Sequence, residues 1–80
     1  MQTIFVLVKC ELGKAYAVAA AAVDTIDEVS EVYSIAGQYD LLVKCHLAQG
    51  DDPGHFTNEK LHALDGIKDT FTMITFRAFG

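Results

Sequence analysis

Cysteine is scarce in this chain, and so is positive charge. Two cysteines in 80 residues, Cys10 and Cys45, form at most one disulfide, and no Cys/His cluster has the spacing of a structural zinc site. Six basic residues stand against eleven acidic ones, a formal net charge of −5. Lys9, Lys14, Lys44, Lys60, Lys68 and Arg77 are scattered, whereas nucleic-acid binding runs on clustered cations that displace counterions from phosphates. No apolar stretch approaches the roughly 20 residues of a membrane span. No basic segment precedes the first apolar run, as it would in a signal peptide. A soluble, cytoplasmic chain with both thiols reduced is expected, without direct contacts to nucleic acid or membrane.

What the chain has is apolar surface. Hydrophobic residues make up 51% of it and charged residues 21%, the balance of a globular domain. One domain spanning residues 1–80 is expected. A chain of this length buries only about 60% of the surface its unfolded form exposes, so a lone copy is marginal. With few cysteines to staple it, oligomerisation is the first candidate for the missing stability.

An internal repeat organises the chain. Ile26-Asp27-Glu28-Val29-Ser30-Glu31-Val32-Tyr33-Ser34-Ile35 lies over Leu64-Asp65-Gly66-Ile67-Lys68-Asp69-Thr70-Phe71-Thr72-Met73 at an offset of 38 residues, and Ile4-Phe5 lies over Leu42-Val43 at the same offset. Two copies of one supersecondary unit are implied, each reading strand, helix, strand. Residues 3–10 are β-branched and aromatic, a buried strand. Lys14 to Ile26 changes period, with Ala15, Val18, Ala19, Ala22 and Ile26 on one helical face. Val29 to Ala36 reads as a strand, Gly37 to Asp40 as a turn, and Leu41 to Leu47 as a third strand. Asp52 and Pro53 open a second helix. Its stripe is Thr57, Leu61 and Leu64, with Phe56 and Ala63 at the margin, and Gly66 stops it. Thr70 to Phe79 reads as the fourth strand. The order βαββαβ, with right-handed crossovers, predicts an α+β, ferredoxin-like fold: a four-stranded antiparallel sheet with two helices on one face.

The sheet face away from the helices should then be polar, and it is not. Phe5 and Leu7 oppose Ile4, Val6 and Val8; Leu42 opposes Leu41 and Val43; Phe71 and Met73 oppose Ile74 and Phe76. Two copies packing their sheets face to face, an isologous dimer of the α+β-barrel kind, would bury both sides. Lys44 shares the parity of Leu42 and His46, which places it in that interface or at its rim.

Three stretches carry a resemblance: Val29 to Val43 with its strand, Gly37-Gln38-Tyr39-Asp40 turn and strand; the Phe56 to Leu64 helix; and Gly66 to Thr72. Across its whole length the chain resembles the effector-binding domain (regulation of amino-acid metabolism, RAM) of the Lrp/AsnC, or leucine-responsive/asparagine-responsive, regulators. It begins at the first strand without the family's N-terminal helix-turn-helix domain, and so looks like the stand-alone form. The resemblance implies a non-enzymatic domain of transcription regulation, with a homodimer assembling into higher rings such as octamers. It implies a free amino acid as effector, bound between dimers, and full-length regulators of the family as partners. Residue by residue, Gly37, Gln38, Tyr39 and Asp40 match the family's effector loop, and Thr70 and Thr72 its last strand. No cofactor, metal or catalytic residue is implied.

Other readings of the same residues stand beside this one. Gly37 and Asp40 suffice for a hairpin connection without a ligand, and Thr70 and Thr72 are ordinary strand residues. His46, His55 and His62 read as solvated surface histidines, and Asp51-Asp52 as a capping pair. Cys10 and Cys45 lie on strands expected to be neighbours. A small dimeric α+β-barrel enzyme of the monooxygenase or isomerase type would share the topology, but no base, nucleophile and orienting group are arranged for it. A pure assembly module would co-associate with full-length regulators without binding an amino acid.

Overall fold

The computed structural model describes residues 1–80. Strand β1 spans Gln2–Cys10, helix α1 Ala15–Thr25, β2 Val29–Ser34, β3 Leu41–Leu47, helix α2 Pro53–Phe56 and β4 Ile67–Ile74. A π-helical turn, Thr57–Leu61, continues α2. The four strands form one antiparallel sheet in the order β2-β3-β1-β4, so the expected βαββαβ topology is the observed one. The 38-residue offset holds in space as well. Displacing the start of α1 by it gives Pro53, and displacing the start of β2 gives Ile67.

Rows across the sheet define its two sides. Val32, Val43, Val6 and Thr72 form one row; Tyr33, Leu42, Leu7 and Phe71 form the next; Glu31, Lys44, Phe5 and Met73 form a third on the same side as the second. Because side chains alternate along a strand, Ile4, Val6, Val8, Leu41, Val43, Cys45 and Leu47 all point one way. They are buried with Val18 and Ile26 of the α1 side and with Phe56 and Leu61 from the second helical segment. The face predicted for α1 is the buried one: Val18, Ala22 and Ile26 are enclosed, and Ala15 and Ala19 pack at the edge. Alanines there let the helix axis lie close on the strands.

The second helix differs from the periodicity reading. Asp52 caps it, accepting a hydrogen bond from the Gly54 N–H at 3.0 Å, and Pro53 occupies the first turn as expected. The helix then widens: the His62 N–H donates to the Thr57 carbonyl at 3.0 Å, one residue further back than an α-helix requires. The widening turns Phe56 inward with Thr57 and Leu61 and leaves Leu64 only half-buried. Lys60, on the outer side, forms an ion pair with Glu28 at 2.9 Å, and the hydrogen bond from Lys60 holds the Glu28 carboxyl below its ordinary range.

Strand β4 also departs from expectation, running from Ile67 to Ile74 instead of Thr70 to Phe79. Its partner decides its limits. The Glu11 N–H donates to the Gly66 carbonyl at 2.7 Å and starts the pairing early, while Ile4 with Ile74 is the last pair before β1 runs out. Phe76 and Phe79 therefore lie beyond the sheet and are exposed. Strand β2 is likewise shorter than Val29 to Ala36 and stops at Ser34.

Cys10 and Cys45 are both buried free thiols. Cys45 sits opposite Ile4, six positions along β1 from Cys10. That is about 20 Å of strand, far beyond the roughly 7 Å between Cα atoms that a disulfide tolerates. Burial, with the Glu28 carboxylate second, pushes the Cys45 thiol up to about 12.

Gly66 serves the packing of the two halves and lies beyond the end of the second helix. Its φ is +97°, and an added Cβ would stand 3.0 Å from both Lys14 Cβ and Val18 Cγ2 of the α1 segment. Gly66→Ala meets strain in the backbone and a clash with the helix together, and should cost about 1–3 kcal/mol. Urea unfolding of the two proteins at equal concentration measures this as a lower midpoint at unchanged slope.

Candidate functional site

The sheet face away from the helices carries Phe5, Leu7, Leu42, Tyr33, Phe71 and Met73 in adjoining rows. Tyr33 and Phe71 are about half exposed (48% and 53%), and the others are partly covered only by one another. Charges sit at two corners of this apolar field. Glu31 and Lys44 are cross-strand neighbours 3.6 Å apart, and Lys9 and Asp69 are paired at the other end. The Tyr33 hydroxyl donates to the Glu31 carboxylate at 2.6 Å, which with Lys44 lowers the Glu31 pKa and raises that of Tyr33. These four charges cancel on the face. The remaining four basic and nine acidic residues carry the whole net charge of −5 on the other surfaces.

The loop joining β2 to β3 sits at one end of this face. Gly37 has φ +124°, a conformation that favours glycine. The Ile35 N–H donates to the Asp40 carbonyl at 2.9 Å and closes the loop. Asp40 then fastens it to β1 twice: its own N–H donates to the Val8 carbonyl at 2.9 Å, and its carboxylate Oδ2 accepts from the Cys10 N–H at 2.8 Å. Tyr39 leans over the sheet face, its ring 6.5 Å from that of Phe71, while Gln38 is exposed at the tip. Beside Asp40 lies a cavity of about 290 Å³ whose wall includes Lys9, Cys10, Glu11, Ala15 and Lys68. Burial first, and the Asp40 carboxylate second, raise the pKa of the Cys10 thiol there. A larger opening, about 850 Å³, lies at the far end of the sheet between Met1, Phe5, Lys44 and the segment after β4, away from the loop.

The other two residues anticipated from the sequence point elsewhere. Thr70 and Thr72 stand opposite Val8 and Val6 on the helix side of β4. The Thr72 hydroxyl pairs with that of Thr57 at 3.2 Å, and the Thr70 hydroxyl with His62 Nε2 at 2.8 Å. Both hydroxyls thus tie the second helical segment to the sheet. The structure brings Gly37, Gln38, Tyr39 and Asp40 together and holds the threonines on the opposite side of the same strand row.

His46, expected to be solvated, is half-buried and pairs with the Thr3 hydroxyl at 3.1 Å; His55 is exposed and lies 3.5 Å from Glu59. No three His, Cys, Asp or Glu side chains are grouped to hold a metal ion. Periodicity gave no sign of Lys9, Lys68 and the Cys10 N–H as neighbours of the loop. Strand parity put Lys9 beside Leu7, but only the crossing of strands puts it beside Asp40.

A family model described as the Lrp/AsnC ligand-binding domain matches residues 3–79. The chain belongs to that family. It is 33% identical over 76 residues to an uncharacterised helix-turn-helix-type transcriptional regulator of Pyrococcus furiosus, covering 92% of this chain and 51% of the relative. The domain thus spans about half the length of the curated relatives it matches. Among solved structures, a Thermus thermophilus protein superposes with TM-score 0.89 at 30% identity, over 100% of this chain and 99% of that one. A Neisseria meningitidis transcriptional regulator, solved as a complex with L-Met, shares the fold at TM-score 0.83 and 20% identity, over 99% of this chain and 52% of the other. Regulators of the Lrp/AsnC family bind amino-acid effectors and oligomerise. No helix of this domain is long and apolar enough to cross a membrane.

The fastening of the loop by Asp40 is open to direct measurement. Asp40→Ala leaves the Cys10 N–H without its acceptor, a loss of about 1–2 kcal/mol, and hydrogen exchange at Cys10 should accelerate. Asp40→Asn retains an acceptor oxygen and should keep that amide protected.

Proposed function

We propose that this chain is a non-enzymatic effector-binding and oligomerisation domain acting in transcription regulation, with a free amino acid as its ligand at the Gly37–Asp40 loop. Membership of the Lrp/AsnC ligand-binding family over residues 3–79 is the observation that carries the reading. The loop supports it chemically. One carboxylate oxygen of Asp40 is engaged by the Cys10 N–H, leaving the other for an α-ammonium group. Lys9 and Lys68 line the same cavity and suit an α-carboxylate. Gly37 keeps the backbone open to close approach, and Tyr39 and Gln38 form the outer wall. Thr70 and Thr72 act through the second helical segment that they hold.

The functional unit in this reading is a homodimer joined through the open sheet faces, one domain per chain over residues 1–80, built up into rings such as octamers in the cytoplasm. The self-cancelling charges of that face suit pairing with a second copy, because any other surface would bring net negative charge against net negative charge. Ligand bound between dimers shifts the balance of assembly states by the difference in its affinity for them. Full-length relatives with DNA-binding domains are the partners through which the signal reaches a promoter. One observation favours a pure assembly module as the second reading: Asp40, Thr70 and Thr72 already have partners within the chain.

A thermal-shift screen against the twenty free amino acids separates the two. A ligand at 100 times its dissociation constant adds about 2.7 kcal/mol to the folded state, a rise of about ten degrees for a domain of this size. One or two selective rises, lost in Asp40→Asn, support sensing. A flat panel favours the assembly module. Light scattering should give at least twice the 8.7 kDa chain mass.

A further inference from the structure

We propose that the Gly37–Asp40 loop is part of the surface on which two copies pair, and that Tyr39, stacked on Phe71, couples what the loop binds to how tightly the copies hold one another. The inference rests on the reading of the open sheet face as the pairing surface. It adds a physical connection between that surface and the loop.

The connection follows from the sheet order. The loop feeds β3, and Phe71 lies on β4, with β1 between them. Neighbouring strands are about 4.8 Å apart, so β3 and β4 are separated by about 10 Å. A Tyr39 ring centred 6.5 Å from the Phe71 ring has therefore crossed the end of β1 over the open face. That is the separation of interacting aromatic rings. Phe71 is paired with Leu7 and Leu7 with Leu42, so it stands in the row at the middle of the apolar field, and it is still 53% exposed. Tyr39 extends that field beyond the strands.

The second copy is the occupant that the charges select. The face holds two cations and two anions at separate corners, Lys9 with Asp69 and Glu31 with Lys44, while the rest of the chain carries the full −5. A second identical face meets it without net repulsion. A two-fold contact also presents every residue twice, so a substitution at Tyr39 acts at two places in each dimer.

Asp40 makes the coupling mechanical. It pins the loop to β1 through the Val8 carbonyl and the Cys10 N–H, one residue from Tyr39. A ligand drawing on the Asp40 carboxylate must reposition or reinforce that pin, and the Tyr39 ring moves with it. By reciprocity, closing the dimer over Tyr39 changes the affinity of the loop for its ligand by the same factor.

Sedimentation equilibrium across a concentration series measures the dimer dissociation constant of the full chain and its variants. Tyr39→Ala and Phe71→Ala should each raise it at least tenfold. The double variant should fall short of the product of the two factors, because each removes the same stacking contact. Tyr39→Phe should stay within twofold of the parent. Circular dichroism checks folding, and Phe71→Leu replaces Phe71→Ala should the latter lose structure. A dissociation constant unchanged in Tyr39→Ala but raised in Phe71→Ala overturns the proposal and leaves the sheet-face dimer standing. If Leu42→Asp, a charge at the centre of the face, leaves the dimer intact, the pairing surface lies elsewhere and the proposal falls with it.

Discussion

Everything in this domain is registered on the central strand. β1 pairs with β3 along one edge and β4 along the other, so its backbone sets where both neighbours begin and end. Its alternate side chains do two jobs. Ile4, Val6 and Val8 fill the core beneath the helices, and Phe5 and Leu7 seed the opposite face. Its C-terminal end receives the β2–β3 loop through Asp40, and the residue after it, Glu11, receives the turn before β4 through Gly66. Loss of strand order in β1 would remove the core, the pairing face and the anchor of the candidate ligand loop together.

Two apolar sides on one sheet create a conflict that a single copy does not resolve. Helices cover one side, and six large side chains remain on the other, three of them aromatic. The chain confines its excess negative charge to other surfaces and leaves that side electrically balanced. Hydrophobic burial then favours self-association, and electrostatics decides which face associates. The candidate ligand loop stands at the rim of that face, so binding and assembly share one structural element.

The halves of the chain explain each other. The repeat places a strand, helix and strand at equal offsets, yet the two copies have diverged in purpose. The first helix is alanine-rich and regular, packed closely enough that Gly66 cannot carry a side chain. The second is short, capped by Asp52 and widened at Thr57, and it is held to β4 by hydroxyl pairs. The threonines of β4 hold the structure together, and the loop of the first half carries the groups that remain free.

Local pattern determined a great deal by itself. The alternation in β1 and β3, the buried stripe of α1, the Asp52 cap and the 38-residue repeat were all readable, because each depends on residues near one another in the chain. The topology followed from their order, and with it the unusual second apolar face. Which threonine hydroxyls are free, where β4 starts and stops, and what stands beside Asp40 were not readable. Those depend on the register of strands separated by 30 or more residues, and on a helix that widens by one residue. The pairing of Tyr39 with Phe71 belongs to the same class: two aromatic residues 32 positions apart meet only because β1 lies between their strands.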